Sequence, residues 1–167
     1  MSKNSGFTLM ELVVAIAIIG VLTSIAVPEY IKWLPKYRTK KAAMELSGQL
    51  HKVKLQAVRE NRPLGVYFDP NSDRYFILTG NGTNTTWDGP TSVGGDDSVE
   101  RFVDLPAYGS GIRFGTVSLG MNNKPLVIFQ SRGTCSHSLQ IPVTNLGGNP
   151  RYRIQTTLAG AILLDKL

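Results

Sequence analysis

Residues 6–28 read GFTLMELVVAIAIIGVLTSIAVP, an apolar run that contains a single charged residue, Glu11. An α-helix over residues 7–28 would be about 30 Å long, which is enough to cross the hydrocarbon core of a bilayer. The sequence therefore predicts an N-terminal membrane-spanning helix over residues 7–28. Before it lies a short segment, residues 1–6, whose only charged side chain is that of Lys3.

Glu11 needs a physical reason, because a carboxylate inside a membrane segment costs about 2–3 kcal/mol. One reason is local: Thr8 and Glu11 have the spacing of a capping box, in which both side chains bind free amide N–H groups at a helix start. The other requires cleavage after Gly6, which would give Phe7 a new α-amino group that could pair with Glu11 of a neighbouring copy. Both interpretations begin the helix at the same point, so they are compatible.

The leader ending in Gly6, the sequence FTLMEL from Phe7 onward and the apolar helix resemble the class III signal of type IV prepilins and type II secretion pseudopilins. The resemblance implies that a prepilin peptidase removes residues 1–6 by cutting between Gly6 and Phe7. It also implies that Phe7 becomes N-methylated and that Glu11 sets the register between helices in a filament.

The same resemblance implies a location and a set of partners. The protein would cross the bacterial inner membrane once, hold its globular domain in the periplasm, and then enter a pilus or pseudopilus. Its partners would be other pilins or pseudopilins, the prepilin peptidase, the inner-membrane assembly platform and membrane lipid. Gly20 and Pro28 match positions where such helices can loosen, which fits the backbone freedom of glycine and the missing N–H of proline.

Two other interpretations of the N-terminus are less favoured. Ser24-Ile25-Ala26 could be the cleavage site of an ordinary secretory signal, or the segment could be a plain anchor that is not processed. Glu11 inside the apolar region argues against a secretory signal, as does the helical pattern beyond Ala26.

The chain of 167 residues is long enough for one globular domain besides the anchor. Residues 29–62 predict an amphipathic helix that Pro35 kinks or interrupts and that ends at residues 61–63. Its apolar stripe is the expected contact with a sheet. The stripe comprises Ala43, Leu46, Leu50, Val53 and Ala57.

Residues 63–167 predict an antiparallel β-sheet domain, so the fold class is α+β. Residues 79–95 are rich in Gly, Asn, Thr and Asp and predict a long surface loop around Trp87. The predicted strands are 64–68, 74–78, 98–105, 112–115, 125–129, 139–143, 152–157 and 161–164.

The sequence AAMEL from Ala42, the Val66-x-Phe68 pair and the Phe129-x-x-x-Gly133 spacing resemble the domain of the pseudopilin GspH and the minor pilin FimT. This resemblance implies a structural minor subunit that helps to initiate or assemble a type IV pilus or a type II secretion pseudopilus. Two alternatives remain open, a DNA-binding minor pilin for DNA uptake and the major pilin of the filament.

The net charge of +6 and a basic C-terminal part make contact with nucleic acid worth considering. Some relatives bind DNA through a Gly-Arg pair, but here Gly160 is followed by alanine. A solvated strand face is therefore favoured over a site that clamps phosphates. The candidate contacts for such a site are Arg151 and Arg153, with Lys124 or Arg132.

The sequence contains no clear pattern for a disulfide, a metal site or an enzyme active site. The lone Cys135 excludes an intrachain disulfide and predicts a buried thiol, while His137 nearby and His51 make no metal site. No phosphate-binding loop or nucleophile motif is present, so we expect no enzyme, no cofactor and no metal. Acidic residues could gather around Ca²⁺, but no loop signature fixes their spacing and a solvated loop is favoured. They are Asp88, Asp96, Asp97, Glu100 and Asp104.

Overall fold

The computed structural model describes residues 7–84, 86–120, 123–148 and 152–167. One helix, α1, spans Leu9–Arg59. The chain divides into two compact units, Met1–Pro35 and Lys36–Leu167.

The first unit contains the apolar part of α1. Its large hydrophobic side chains are exposed, between 45% at Val14 and 81% at Leu9. By length and composition, this helix can cross a membrane. The interruption considered at Pro35 does not occur, since both Pro28 and Pro35 lie inside α1. A proline removes only its own backbone N–H, so the turns on either side keep their hydrogen bonds.

The second unit begins with the amphipathic part of α1. The predicted stripe is confirmed, because its five residues are at most 2% exposed. The stripe packs against strand residues such as Phe68, Ile77, Phe129 and Ile141 in one hydrophobic core. Burial of this stripe supplies most of the stability of such a helix.

In the described residues, eight antiparallel strands follow the helix, which confirms the α+β class. They are β1 Leu64–Asp69, β2 Arg74–Gly80, β3 Ser98–Asp104, β4 Ile112–Phe114, β5 Leu126–Phe129, β6 Leu139–Asn145, β7 Tyr152–Thr156 and β8 Ile162–Lys166. They form two four-stranded sheets, ordered β3-β2-β1-β5 and β4-β6-β7-β8. The chain leaves the first sheet after β3 and returns to it only with β5, which pairs with β1. Each strand lies within about two residues of its predicted position.

Strands β1, β2 and β5 of the first sheet are largely buried on both faces, whereas the edge strand β3 is mostly exposed. One face contributes to the core beneath α1, while the other carries a second cluster centred on Trp87. The expectation that 79–95 is a surface loop is wrong in part: β2 runs to Gly80, and Trp87 is only 8% exposed. Gly65 of β1 makes this possible, because a Cβ there would lie 2.8 Å from the Trp87 ring. The second cluster comprises Tyr67, Phe76, Leu78, Trp87, Leu126 and Ile128.

Candidate functional site

The start of α1 is held by reciprocal hydrogen bonds between Thr8 and Glu11. The backbone N–H and the hydroxyl of Thr8 both donate to Glu11 Oε2, each over 2.9 Å. The backbone N–H of Glu11 donates in return to Thr8 Oγ1, over 3.2 Å. This is the capping-box geometry expected from the spacing. The Glu11 carboxylate therefore satisfies a free amide at the helix start.

The residues beside this cap are open to a neighbouring molecule. Phe7 is 90% exposed, and Glu11 is also exposed. The helix start thus presents a carboxylate next to the position where cleavage would create an amino group. Gly6, the predicted cleavage residue, lies outside the described residues.

The apolar helix continues without a break past the alternative signal-peptide site. The hydroxyl of Thr23 donates to the Ile19 carbonyl and that of Ser24 to the Val21 carbonyl, each over 2.7 Å. These bonds give both hydroxyls a partner inside an apolar segment. Gly20 has open space around it, because a Cβ there would meet nothing within 4 Å. Loosening at Gly20 and Pro28 stays a prediction.

Two of the candidate phosphate-binding residues, Lys124 and Arg153, have separate partners in the second unit. Lys124 Nζ donates to the backbone carbonyl of Asp88 over 2.6 Å. Arg153 on β7 faces Asp165 on β8, with 4.0 Å between Nη2 and Oδ2. Arg132 is exposed in the segment between β5 and β6. Arg151 lies outside the described residues. Asp165 reduces the positive charge of the strand face on which the hypothesis of DNA contact depends.

The β7–β8 turn explains Gly160 in structural terms. Gly160 has φ +79°, and a Cβ there would overlap the carbonyl oxygen of Gly133. Its own carbonyl accepts a hydrogen bond from Lys54 Nζ on α1, over 2.9 Å. The glycine is therefore required by close backbone packing, independently of any arginine that would follow it.

Three of the five acidic candidates come together. Asp88, Asp96 and Asp97 each offer a carboxylate oxygen, and these oxygens lie within 4.8 Å of one another. Asp104 instead pairs with Arg74, and Glu100 lies 3.5 Å from the Gln56 amide. The sequence predicts a solvated acidic loop, but this expectation is wrong for Asp97, whose side chain is only 3% exposed.

The two neighbouring aspartates of this group have opposite pKa shifts. Burial raises the pKa of Asp97, with smaller contributions from the charges of Asp88 and Asp96. Hydrogen bonds from Thr83, through its hydroxyl and its backbone, lower the pKa of Asp96. At Asp97, burial and the neighbouring charges outweigh the hydrogen bonds from the Gly89 and Asp88 amides, whereas at Asp96 the hydrogen bonds prevail.

Cys135 is buried, as predicted, and its backbone N–H donates to the Leu158 carbonyl. Burial raises the pKa of the thiol to about 11. His137 and His51 are exposed. In the part of the chain that the structure describes, the one group of three potential metal-ligating side chains is the aspartate group above.

Three features were not predicted from the sequence: the packing of Trp87 on the first sheet, the contact between Gly133 and Gly160, and the burial of Asp97. A signal for the first was available. Residues 64–68 read LGVYF, apolar at consecutive positions rather than alternating, and this pattern is typical of a strand buried on both faces.

The N-terminal helix is apolar, begins with the Thr8–Glu11 capping box and leads into an antiparallel β domain. This combination defines a pilin-like protein. The prokaryotic N-terminal methylation motif matches residues 1–27. The family described as type II transport protein GspH matches residues 42–160, most of the globular part. The chain belongs to the GspH family.

The chain is also similar in sequence to pilins. A fimbrial protein of Pseudomonas aeruginosa is 27% identical over 128 residues, covering 74% of this chain and 82% of the relative. The type IV major alpha-pilin of Moraxella bovis is 44% identical over 48 residues, which are 29% of this chain and 30% of that protein.

The fold itself matches two solved minor subunits. The minor pseudopilin EpsH from the type 2 secretion system of Vibrio cholerae has a TM-score of 0.57 at 16% identity, covering 77% of this chain and 97% of EpsH. The type IV minor pilin FimU of Pseudomonas aeruginosa has a TM-score of 0.55 at 15% identity, covering 78% of this chain and 90% of FimU.

Proposed function

We propose that this protein is a minor pilin or pseudopilin that helps to initiate or assemble a type IV pilus or a type II secretion pseudopilus. The observation that carries the proposal is the start of α1, where an exposed apolar helix begins with a hydrogen-bonded Glu11. An apolar helix with no cover of its own needs lipid or other helices around it. A filament of such helices supplies that cover once the subunit leaves the membrane.

Glu11 would act in assembly through charge. Cleavage between Gly6 and Phe7 creates an ammonium group one residue before the cap. Within a bundle of apolar helices, this group on one subunit would pair with Glu11 of the next. Removal of one partner from a buried ion pair costs about 3–5 kcal/mol, because the other charge is left without compensation. The pair would therefore select one axial register between subunits.

The remaining partners and the location follow from this role. A prepilin peptidase would cut the leader and an inner-membrane platform would assemble the subunits. The globular domain would lie in the periplasm, with the helix over residues 7–28 in the membrane. The protein would act as a structural subunit rather than an enzyme. The DNA-uptake and major-pilin alternatives are not favoured, and Asp165 opposite Arg153 weighs against the first.

A pair of variants separates the charge of Glu11 from its capping role. Glu11→Gln keeps an acceptor for the Thr8 N–H and hydroxyl, since glutamine also serves in a capping box, but it removes the charge. Thr8→Ala removes the hydroxyl and keeps the charge. We expect the Glu11→Gln protein to remain in the membrane at normal levels. Its amount in the sheared filament fraction should fall at least about tenfold. The Thr8→Ala protein should enter filaments in a much larger amount than the Glu11→Gln protein.

The control is Glu29→Gln, which neutralises another exposed glutamate of the same helix. Membrane fractions and sheared filaments would be compared by immunoblotting. Incorporation of Glu11→Gln at the wild-type level would refute the register role. Equal loss in Thr8→Ala and Glu11→Gln would assign the effect to the cap instead.

A further inference from the structure

The loop between β2 and β3 covers the outer face of the first sheet and brings three carboxylates close together. Asp88 follows Trp87, while Asp96 and Asp97 directly precede β3. One oxygen from each of the three lies within 4.8 Å of the others. These residues therefore close the two ends of the loop on each other.

Asp97 carries a polar atom without a partner inside this group. The side chain is 3% exposed, and its Oδ2 accepts hydrogen bonds from the backbone N–H groups of Asp88 and Gly89, over 3.0 and 2.7 Å. Its Oδ1 is buried and has no hydrogen-bond partner. A buried carboxylate oxygen left in this way is unfavourable unless something binds it.

Asp96 shows the same asymmetry. Its Oδ2 accepts hydrogen bonds from the Thr83 and Asn84 backbone and from the Thr83 hydroxyl, over 2.7–3.1 Å. Its Oδ1 is buried with no hydrogen-bond partner. Two adjacent aspartates thus each have one oxygen bound by protein donors and one buried oxygen without a donor.

The negative charge of the three aspartates is compensated only in part. Within the described ranges, none of the three aspartates forms a salt bridge. Lys124 Nζ approaches the Asp88 carbonyl, 2.6 Å away, and so reduces the negative charge near the loop. Three carboxylates against one ammonium group still leave a site that favours a divalent cation.

We propose that Asp88, Asp96 and Asp97 bind one Ca²⁺ ion, which closes the loop over the outer face of the first sheet. The oxygens without hydrogen-bond partners on Asp96 and Asp97 are direct ligands, and Asp88 supplies a third carboxylate. Water completes the shell of six to eight oxygens that Ca²⁺ takes. Carboxylates on an irregular loop suit Ca²⁺ better than Mg²⁺, which requires stricter octahedral geometry, and the group has no nitrogen or sulfur ligand for Zn²⁺.

The site would act on the stability of the domain, and it does not depend on the proposed assembly role. Extracellular calcium modules typically have Kd values of about 10⁻⁴–10⁻³ M. With about 10 mM Ca²⁺, binding only to the folded state should raise Tm by roughly 5–10 °C. The same concentration of Mg²⁺ should produce a much smaller shift.

The experiment uses the full chain in detergent micelles, first stripped with a chelator. Isothermal titration with CaCl2 measures affinity and stoichiometry, and thermal unfolding measures the shift in Tm. Tb³⁺ serves as a luminescent substitute, since Trp87 next to Asp88 can sensitise its emission. Trp33→Phe should keep the emission, whereas Trp87→Phe should lose it while Ca²⁺ binding persists.

The matched variants are Asp97→Asn and Glu100→Gln. We expect Asp97→Asn to lower the affinity for Ca²⁺ at least tenfold, and Glu100→Gln to leave it unchanged, because Glu100 lies outside the group. Asp97→Asn also weakens hydrogen bonds that hold the loop, so the wild-type titration is decisive by itself. Absence of both binding and a Tm shift in the wild type at about 10 mM Ca²⁺ would overturn the proposal. Unchanged binding in a folded Asp97→Asn protein would overturn it too.

Discussion

Replacement of Gly160 by alanine tests whether the close contact between the β7–β8 turn and the β5–β6 connection holds the second sheet in place. Gly160 has a positive φ, and its Cα faces the carbonyl oxygen of Gly133. A methyl group cannot occupy that space without movement of backbone atoms. The Lys54 hydrogen bond to the Gly160 carbonyl would be disturbed by the same movement.

The expected cost has two parts. The left-handed backbone conformation costs a residue with a Cβ about 1–2 kcal/mol. Overpacking against atoms that must shift adds about 1–3 kcal/mol. Gly160→Ala should therefore lower the free energy of unfolding by about 2–5 kcal/mol. For a domain of this size, that corresponds to a Tm lower by roughly 8–20 °C.

Two other glycines provide controls at almost the same backbone angle. Gly94 has φ +84° and open space around it, while Gly133 has φ +80° and only ordinary contacts at 3.4–3.5 Å. Alanine at either position should cost only the backbone part, about 1–2 kcal/mol. The difference between Gly160→Ala and these two variants then isolates the steric part.

Thermal and urea unfolding of the full chain in detergent, followed by circular dichroism, would measure all three variants. A cost at Gly160 no greater than that at Gly94 would refute the inference that the Gly133 contact is tight. A large and equal loss at all three would show that positive φ alone dominates.

Two predictions concern the leader and the buried thiol. Replacement of Gly6 by leucine should leave the leader uncut, so that only the precursor band accumulates; a mature-size band would contradict the assigned cleavage site. The pKa of Cys135 is raised to about 11 by burial, so the neutral thiol contributes stability below the unfolded pKa that is lost as pH rises towards 11. Between pH 7 and 10, wild type should lose about 1–2 kcal/mol more stability than Cys135→Ala, measured by urea unfolding at each pH; parallel pH profiles would disprove the effect.

The sequence alone determined the features that depend on neighbours along the chain. Thr8 and Glu11 form the helix cap because side chains three residues apart meet at a helix start. The stripe that includes Leu46 and Leu50 is buried because its spacing repeats the helical period. All eight strands were found in the same way, from runs of apolar and β-branched residues between turn residues.

Tertiary structure alone decided which distant segments meet. The division of the strands into two sheets depends on β5 pairing with β1, and no local pattern encodes that choice. The closeness of Gly160 to Gly133 likewise arises where two segments distant in sequence come together. Asp97 is buried where the two ends of one loop close on each other. Local composition fixes the preferred conformation of a segment, but the partner of each buried oxygen or backbone carbonyl is set only by the path of the whole chain.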